Sequence, residues 1–430
     1  MKKFLTLVVF LVLASSLALA NGLNLNGFGA RAAAMGGAFV GLADDFTAVF
    51  WNPAGLAFQG DATFGLAGDA IMPKGEYDFL GFFDMSTKSK IYPAGLAGYF
   101  KRVNEKLVLG LGVYTPSGLG AAWNSTGYEQ AIIAVGYPPD TTIINDPVGS
   151  YRWESFIGAI TLAPTVAVKL TDEISLGATF NLNYGFFKLW QWAGIVNAFS
   201  NYYMNLGQQT LNVKGWGFGA TFGLMVKPSD RFSFGMTFRT PSKVKLSGTM
   251  EIENLDDLEV PNTISDTNMD VTYPMWLAAG LAFKPVENLT FTADAQYTNW
   301  KKLQVLSLDF ADPVWQVALP PEEAQLELLW ADKIQWRFGL EYVLGNIAIR
   351  GGYYYDPTPT PAETLSILVP GYDFNNVTFG IGYNAGNFKL DLGFEYLMGK
   401  TREIAPGIGA QPGTFKMSIM VPQISLRYDW

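Results

Sequence analysis

Beyond its first twenty residues, this chain repeatedly places apolar side chains at every second position. LVLGLGVY (107–114) sets Leu107, Leu109, Leu111 and Val113 against Val108, Gly110 and Gly112. FSFGMTFR (232–239) sets Phe232, Phe234, Met236 and Phe238 against Ser233, Gly235, Thr237 and Arg239. LTFTADAQY (289–297) and FKLDLGFEY (388–396) repeat the pattern, with Asp294, Lys389, Asp391 and Glu395 on the polar side. A period of two is a strand signature. A water-soluble sandwich would also alternate, with its apolar face inward. Composition argues against that: charged residues are 16%, aromatics 15%, and there are 46 glycines, whereas soluble domains average roughly 25% charged. No later apolar stretch approaches the ~20 residues of a membrane helix. Dispersed apolar content of this kind suits strands that show only alternate side chains to lipid.

The connections sharpen the choice. Short ones fall at 102–106, 171–173, 228–230, 284–288, 345–346 and 384–387, built from Gly, Pro, Asn, Asp and charged residues. Long ones lie near 72–90, 115–156, 188–212, 246–270, 302–333, 357–374 and 399–415. The two kinds alternate, which implies fourteen strands with both chain ends on the short-turn side. Short inner turns and long outer loops are the outer-membrane pattern, and an even count closes the sheet without a bare edge. Aromatics at strand ends, as at Trp336 and Tyr353 to Tyr355, suit interfacial girdles. The expected fold is an all-β membrane protein, a 14-stranded antiparallel transmembrane β-barrel spanning residues 61–430. Its last strand, QISLRYDW, ends in Trp430 and resembles the signal read by the outer-membrane assembly machinery.

Residues 1–20 read as a signal peptide: Lys2 and Lys3, an apolar core from Phe4 to Leu13, and Ala18-Leu-Ala20 as a small-x-small cleavage site. Cleavage would leave Asn21 as N-terminus and take the formal charge from -9 to -11. No Cys means no disulfide scaffold. No His removes the common catalytic triads and the commonest metal ligand. The acidic balance argues against nucleic acid as a partner. No enzyme, cofactor or metal site is expected. Gly27-Phe-Gly29-Ala-Arg-Ala32 imitates a dinucleotide fingerprint but lacks the strand before it. The acidic stretch 251–270 lacks calcium-loop spacing and is expected to be a solvated loop.

Residues 21–60 do not alternate; they are rich in Gly and Ala, with a short helix expected near Arg31 to Met35. Small residues and low charge suit a plug inside the lumen. The segment resembles the N-terminal hatch of the FadL/TodX family of outer-membrane transporters. The shared residues are Gly29 to Arg31, Gly36 and Gly37, Ala43-Asp44-Asp45, and above all Asn52-Pro53-Ala54-Gly55. Later stretches such as YTPSGLG (114–120) and TPSKVKLSG (240–248) are similar too. The resemblance implies a hatch-plugged barrel in the outer membrane that passively carries long-chain fatty acids or aromatic hydrocarbons. Ligand would meet apolar outer loops, enter a lumen pocket, and leave sideways at a kink in the third strand. Gly110 and Gly112 would make such a kink cheap; equally, they would make room for the hatch.

Two expected outer loops are unusually apolar. One (115–137) holds Leu119, Trp123, Ile132, Ile133 and Val135; the other (189–206) holds Leu189, Trp190, Trp192, Ile195, Val196, Phe199, Tyr202, Tyr203, Met204 and Leu206, among which Trp192, Ile195, Val196, Phe199 and Tyr203 have near-helical spacing. They are expected to receive ligand or to pack on each other. Lys169, Arg239, Arg337, Arg350, Lys389 and Arg427 should face the lumen with Asp294, Glu341, Asp391 and Glu395, mostly as pairs. Arg239 is the first candidate for a ligand carboxylate. Expected partners are a hydrophobic small molecule, outer-membrane lipid and lipopolysaccharide, and the assembly machinery; the expected state is a monomer. Two readings of other classes compete: a water-filled porin for polar solutes and a barrel-anchored surface binding or adhesion protein.

Overall fold

The structure, a computed structural model, describes residues 22–124, 128, 151–197, 202–319, 324–368, 370–409 and 411–430. The expected leader lies outside the described residues, as do Ile132, Ile133, Val135 and Phe199.

Fourteen antiparallel strands form one closed ring. They are β1 (Ala62–Phe79), β2 (Phe83–Thr87 and Tyr92–Arg102), β3 (Leu107–Asn124), β4 (Trp153–Lys169), β5 (Ile174–Asn197), β6 (Tyr202–Ser229) and β7 (Phe232–Arg239 and Ser242–Ile252). They continue as β8 (Ile264–Tyr273 and Trp276–Val286), β9 (Leu289–Thr298 and Val305–Phe310), β10 (Gln325–Glu327 and Lys333–Leu344), β11 (Ile347–Asp356), β12 (Phe374–Ala385), β13 (Phe388–Gly399) and β14 (Gly413–Asp429). Each strand pairs with the next, and β14 pairs with β1 from Thr63↔Asp429 to Asp78↔Thr414. Closure leaves no edge for lipid to strand. Among the described residues no helix is long and apolar enough to cross a membrane.

All six expected short turns join strands at one end of the ring. Alternation divides the faces as read from sequence. Phe64, Leu66, Leu109, Leu111, Phe291, Phe338, Phe379 and Ile424 are exposed on the outer surface, while Thr292, Asp294, Arg337, Thr378 and Ser425 are buried inside. Trp336 and Tyr353 belt one end of the outer face; Tyr99 and Trp430, 6.1 Å apart edge to face, belt the turn end. Tyr354, grouped with its neighbours from sequence, instead points inward and is fully buried.

The strands are longer than expected, and the extra length corrects the loops. Residues 188–212 are mostly an extension of the β5–β6 ladder, which runs on to Asn197↔Tyr202. The expected helical spacing there is therefore a strand, with a bulge between Trp192 and Gly194. The stretch 251–270, expected as a solvated loop, is the β7–β8 hairpin, capped by a 3-10 turn at Leu255–Leu258. Pro241 and Pro274 break β7 and β8 side by side, between the pairs Arg239↔Trp276 and Ser242↔Tyr273, because proline has no N–H for the ladder.

Candidate functional site

The N-terminal segment lies within the ring and is almost wholly buried from Phe28 to Ala57. Its short helix, α1 (Ala30–Ala34), stops at Gly36 and Gly37, both left-handed at φ 67° and 65°. A Cβ on Gly36 would sit 2.5 Å from the Phe338 carbonyl oxygen of the wall, so only glycine fits there. A second turn, α2 (Ala48–Trp51), leads into Asn52-Pro53-Ala54-Gly55.

Each residue of that motif has a job. Asn52 Nδ2 donates to the carbonyls of Val40 (3.1 Å) and Leu224 of β6 (3.0 Å), and its Oδ1 accepts from Ala54 N–H (3.2 Å). Pro53 opens the following 3-10 turn at a position that needs no N–H donor. The Ala54 carbonyl accepts from Ser175 Oγ of β5 (2.8 Å). A Cβ on Gly55 would lie 2.0 Å from the Ala43 carbonyl oxygen.

Wall side chains hold the segment mainly by its backbone. Asp294 accepts from the N–H groups of Phe39 and Val40 (both 2.9 Å). Ser233 and Thr237 donate to the carbonyls of Gly41 and Trp51, Thr378 to that of Ala34, and Arg337 to that of Gly36. Ser425 Oγ accepts from Ala30 N–H. Toward the turn end an ionic network does the rest. Arg31 pairs with Asp44 and with Glu341 of β10 (2.8 Å); Arg350 pairs with Glu341 (2.6 Å) and Asp391 (2.7 Å). Burial alone would raise the Asp44 carboxyl, but the charge and hydrogen bond of Arg31 outweigh it and hold it below the usual carboxylate range. Asp45 lies at the edge of this network, 3.8 Å from Arg31, and accepts from Thr47 N–H (2.8 Å); burial pushes its carboxyl up. Lys389 and Arg427 both reach Asp429 (2.6 and 3.0 Å), and Lys169 reaches Asp172 (2.8 Å).

The third strand is broken, at a different place from the glycines. Gly110 and Gly112 sit in regular register opposite Phe100 and Gly98. A Cβ on Gly112 would press Val49 of the N-terminal segment at 2.9 Å, so this glycine makes room for the segment. The irregularity falls at Thr115 and Pro116, where the β3–β4 register shifts between Tyr114 and Ser117. There β3 also leaves β2. Their ladder ends at Leu96↔Tyr114 and resumes only at Thr87↔Trp123. In between, Gly95 N–H turns to Thr115 Oγ1 (3.0 Å), and the Pro116 carbonyl accepts from Leu25 N–H of the segment (2.9 Å).

Beside this gap lies a lumen cavity lined by Asn24, Tyr114, Asn181, Arg239, Tyr273 and Trp276. Arg239 donates to the Phe50 carbonyl (3.0 Å), and its guanidinium lies over the rings of Phe50 and Trp276, 4.7 and 4.9 Å from their centroids. Among the described residues no carboxylate pairs with it, unlike Arg31 and Arg350. Farther out, Phe187, Leu189, Leu211, Met269, Leu306 and Leu308 line an apolar pocket.

The tryptophans expected to receive ligand are mostly committed elsewhere. Trp123 is fully buried and donates to the Ile367 carbonyl (2.7 Å); Trp192 donates to Asn205 Oδ1 (2.9 Å). Arg152 stacks on Trp190, 3.6 Å from its centroid. Leu119, Ile195, Val196, Tyr203 and Met204 lie in β3, β5 and β6, where backbone pairing fixes Leu119 against Ile157 and Val196 against Tyr203. Sequence reasoning missed Leu306 and Leu308 of the outer pocket, though their own alternation in VLSLDF (305–310) was the available signal. It also missed Trp276 and Phe50 beside Arg239.

The profile of a family described as "Outer membrane protein transport protein (OMPP1/FadL/TodX)" matches residues 11–418. A long-chain fatty acid transport protein of Escherichia coli is 23% identical over 450 aligned residues, covering 95% of this chain and 94% of that one. Two crystal structures share the fold: a Pseudomonas aeruginosa FadL homologue (TM-score 0.76, 17% identity, 95% and 99% of the two chains) and the Pseudomonas putida toluene transporter TodX (TM-score 0.71, 17% identity, 95% and 99%). A closed fourteen-stranded ring with this N-terminal segment, matched over nearly its whole length, therefore belongs to the OMPP1/FadL/TodX family of outer-membrane β-barrel transport proteins.

Proposed function

We propose that this protein carries long-chain fatty acids passively across the bacterial outer membrane, with the N-terminal segment as its hatch. The observation that carries the choice of cargo is Arg239: a lumen cation with aromatic neighbours and no carboxylate partner among the described residues. A fatty-acid carboxylate would supply the missing anion. The apolar pocket around Leu189, Leu306 and Leu308 would receive the molecule from outside. The Arg239 cavity would hold it next, and the gap between β2 and β3 would release it sideways. Asn52, Pro53, Ala54 and Gly55 would keep the hatch seated, and Asp44 and Asp45 would brace its far end. No step needs a cofactor. In this reading the protein works as a monomer among outer-membrane lipid and lipopolysaccharide, inserted by the assembly machinery through β14 after loss of residues 1–20.

Aromatic hydrocarbons by the same route are the second reading, favoured by the structural likeness to a toluene transporter. Cells producing the full chain should take up radiolabelled oleate, and a variant with Asn52→Ala and Pro53→Ala should take up less. Toluene uptake without oleate uptake would move the cargo to the second reading. Uptake of neither, with steady ion conductance in planar bilayers, would leave a porin.

A further inference from the structure

The lumen contains a second built pocket that the carboxylate route leaves unused. It lies between residues 24–27 and the inner faces of β1, β13 and β14. Alternation stacks its lining in two layers. Rising from the turn end, β1 presents Asp69 and then Ile71, and β13 presents Glu395 and then Leu397; β14, descending, presents Val421 and then Gln423. Asp69 stands opposite Gln423 in the ladder, and Glu395 opposite Val421. The pocket therefore has a polar floor and aliphatic walls above it.

The floor is short of donors. Glu395 accepts from the Tyr354 hydroxyl and from Gln423 Nε2, both at 2.8 Å. Among the described residues Asp69 Oδ1 and Gln423 Oε1 accept no hydrogen bond, although their residues are only 7% and 6% exposed. Among the described residues no Lys or Arg forms an ion pair with Asp69 or Glu395. Buried acceptors without donors are costly, so the site suits a ligand that brings donors and positive charge. An alkylammonium head has three N–H donors and no acceptor, and its chain would lie along Ile71, Leu397 and Val421. A calcium ion wants about six to eight oxygens, more than a floor beneath aliphatic walls offers. A carboxylate head would only add acceptors.

We propose that the Asp69–Glu395–Gln423 pocket is a subsite for the cationic head of an aliphatic amphiphile, a long-chain alkylammonium, distinct from the Arg239 cavity. The two share Asn24 in their linings, so residues 24–27 stand between a cationic pocket and an acidic one. The proposal rests on the lumen being a route for hydrophobic molecules, and its test separates the two ideas.

The test is equilibrium dialysis of radiolabelled dodecylamine at pH 8 against the full-length protein in a non-ionic detergent, corrected for micelles alone. Dodecanoate, dodecanol and calcium chloride are run in parallel. The natural protein should bind dodecylammonium more tightly than dodecanol. Asp69→Asn with Glu395→Gln should weaken dodecylammonium at least about tenfold and leave dodecanoate unchanged. Arg239→Gln should do the reverse. If the double variant does not fold, Ile71→Trp, which fills the walls, should give the same loss. Equal dodecylammonium binding in natural and variant proteins overturns the subsite. So does displacement of dodecylammonium by calcium alone, which would make the floor an inorganic cation site. If the natural protein binds dodecanoate but not dodecylammonium, the subsite falls and the transport reading stands; if it binds neither, both fall.

Discussion

At the residue scale the lumen is defined by which charges are answered and which are not. Arg31, Arg350 and Glu341 satisfy one another through bonds of 2.6–2.8 Å, as expected where an isolated charge is expensive. Among the described residues Arg239 is answered by the Phe50 carbonyl, a long hydrogen bond to the Thr221 hydroxyl (3.4 Å) and two aromatic faces, but by no carboxylate. Replacing it by Gln removes charge-assisted hydrogen bonds worth about 1.5–3 kcal/mol. Oleate binding should weaken roughly ten- to hundredfold, while toluene binding stays within about twofold; equilibrium binding to the purified variant checks both. Arg239 is legible in the sequence because alternation alone sends it inward. Its lack of a carboxylate is not, since that depends on strands distant in sequence. Trp123 shows the opposite error. Sequence puts it on an apolar loop, yet its indole N–H is used by the Ile367 carbonyl, a contact across 244 residues that no local pattern encodes.

At the element scale the turns are readable and the ladder lengths are not. Gly345-Asn346 and its five counterparts declare themselves through local turn chemistry. The stripe from Trp192 to Tyr203 fits a helix as well as a strand over so short a run, and only pairing with β6 decides it. Sequence points to Gly110 and Gly112 for the break in β3, as the residues that would make a bend cheap. Pro116 is the stronger signal, because a proline within a strand marks an edge or a bulge. Its position opposite the gap makes a clean test. Three residues of β3 span what two of β4 span between Tyr114↔Thr161 and Ser117↔Ala159, so deleting Pro116 restores even register. The shortened protein should keep its heat-resistant barrel mobility on gels and lose most oleate uptake. Undiminished uptake would remove the gap from the route.

At the scale of the whole molecule the ring and its filling answer to different conditions. The ring is held chiefly by backbone ladders, whose N–H and C=O groups do not titrate, with inter-strand ion pairs such as Lys389–Asp429 added to them. The filling is held at the turn end by Arg31 and Asp44. Because the folded Asp44 value is depressed, its contribution is full above the ordinary value of 3.8 and is lost as pH falls through the lower folded value. Asp45, raised by burial, loses a buried charge in the same direction and offsets part of that loss. The protection factors of the amides from Gly29 to Asp45, corrected for the intrinsic exchange rate at each pH, should therefore fall once the pH drops below the ordinary carboxyl value of 3.8, while those of strand amides hold. Planar bilayers give the complementary readout. The natural protein should show no steady current, and a chain lacking residues 22–58 should show a constant one, since the segment occupies the lumen that a porin leaves open.

The seal between β14 and β1 has a consequence in time. Its two halves are made at opposite ends of synthesis, and Ala30 meets Ser425 across 395 positions. A ribosome that stops twenty residues early therefore does not yield a slightly shorter protein. It leaves β13 and β1 each with a bare row of N–H and C=O groups and nothing in the bilayer to meet them. Every unfinished copy carries this defect, so a protease that recognises unpaired strands can discard it before it reaches the surface.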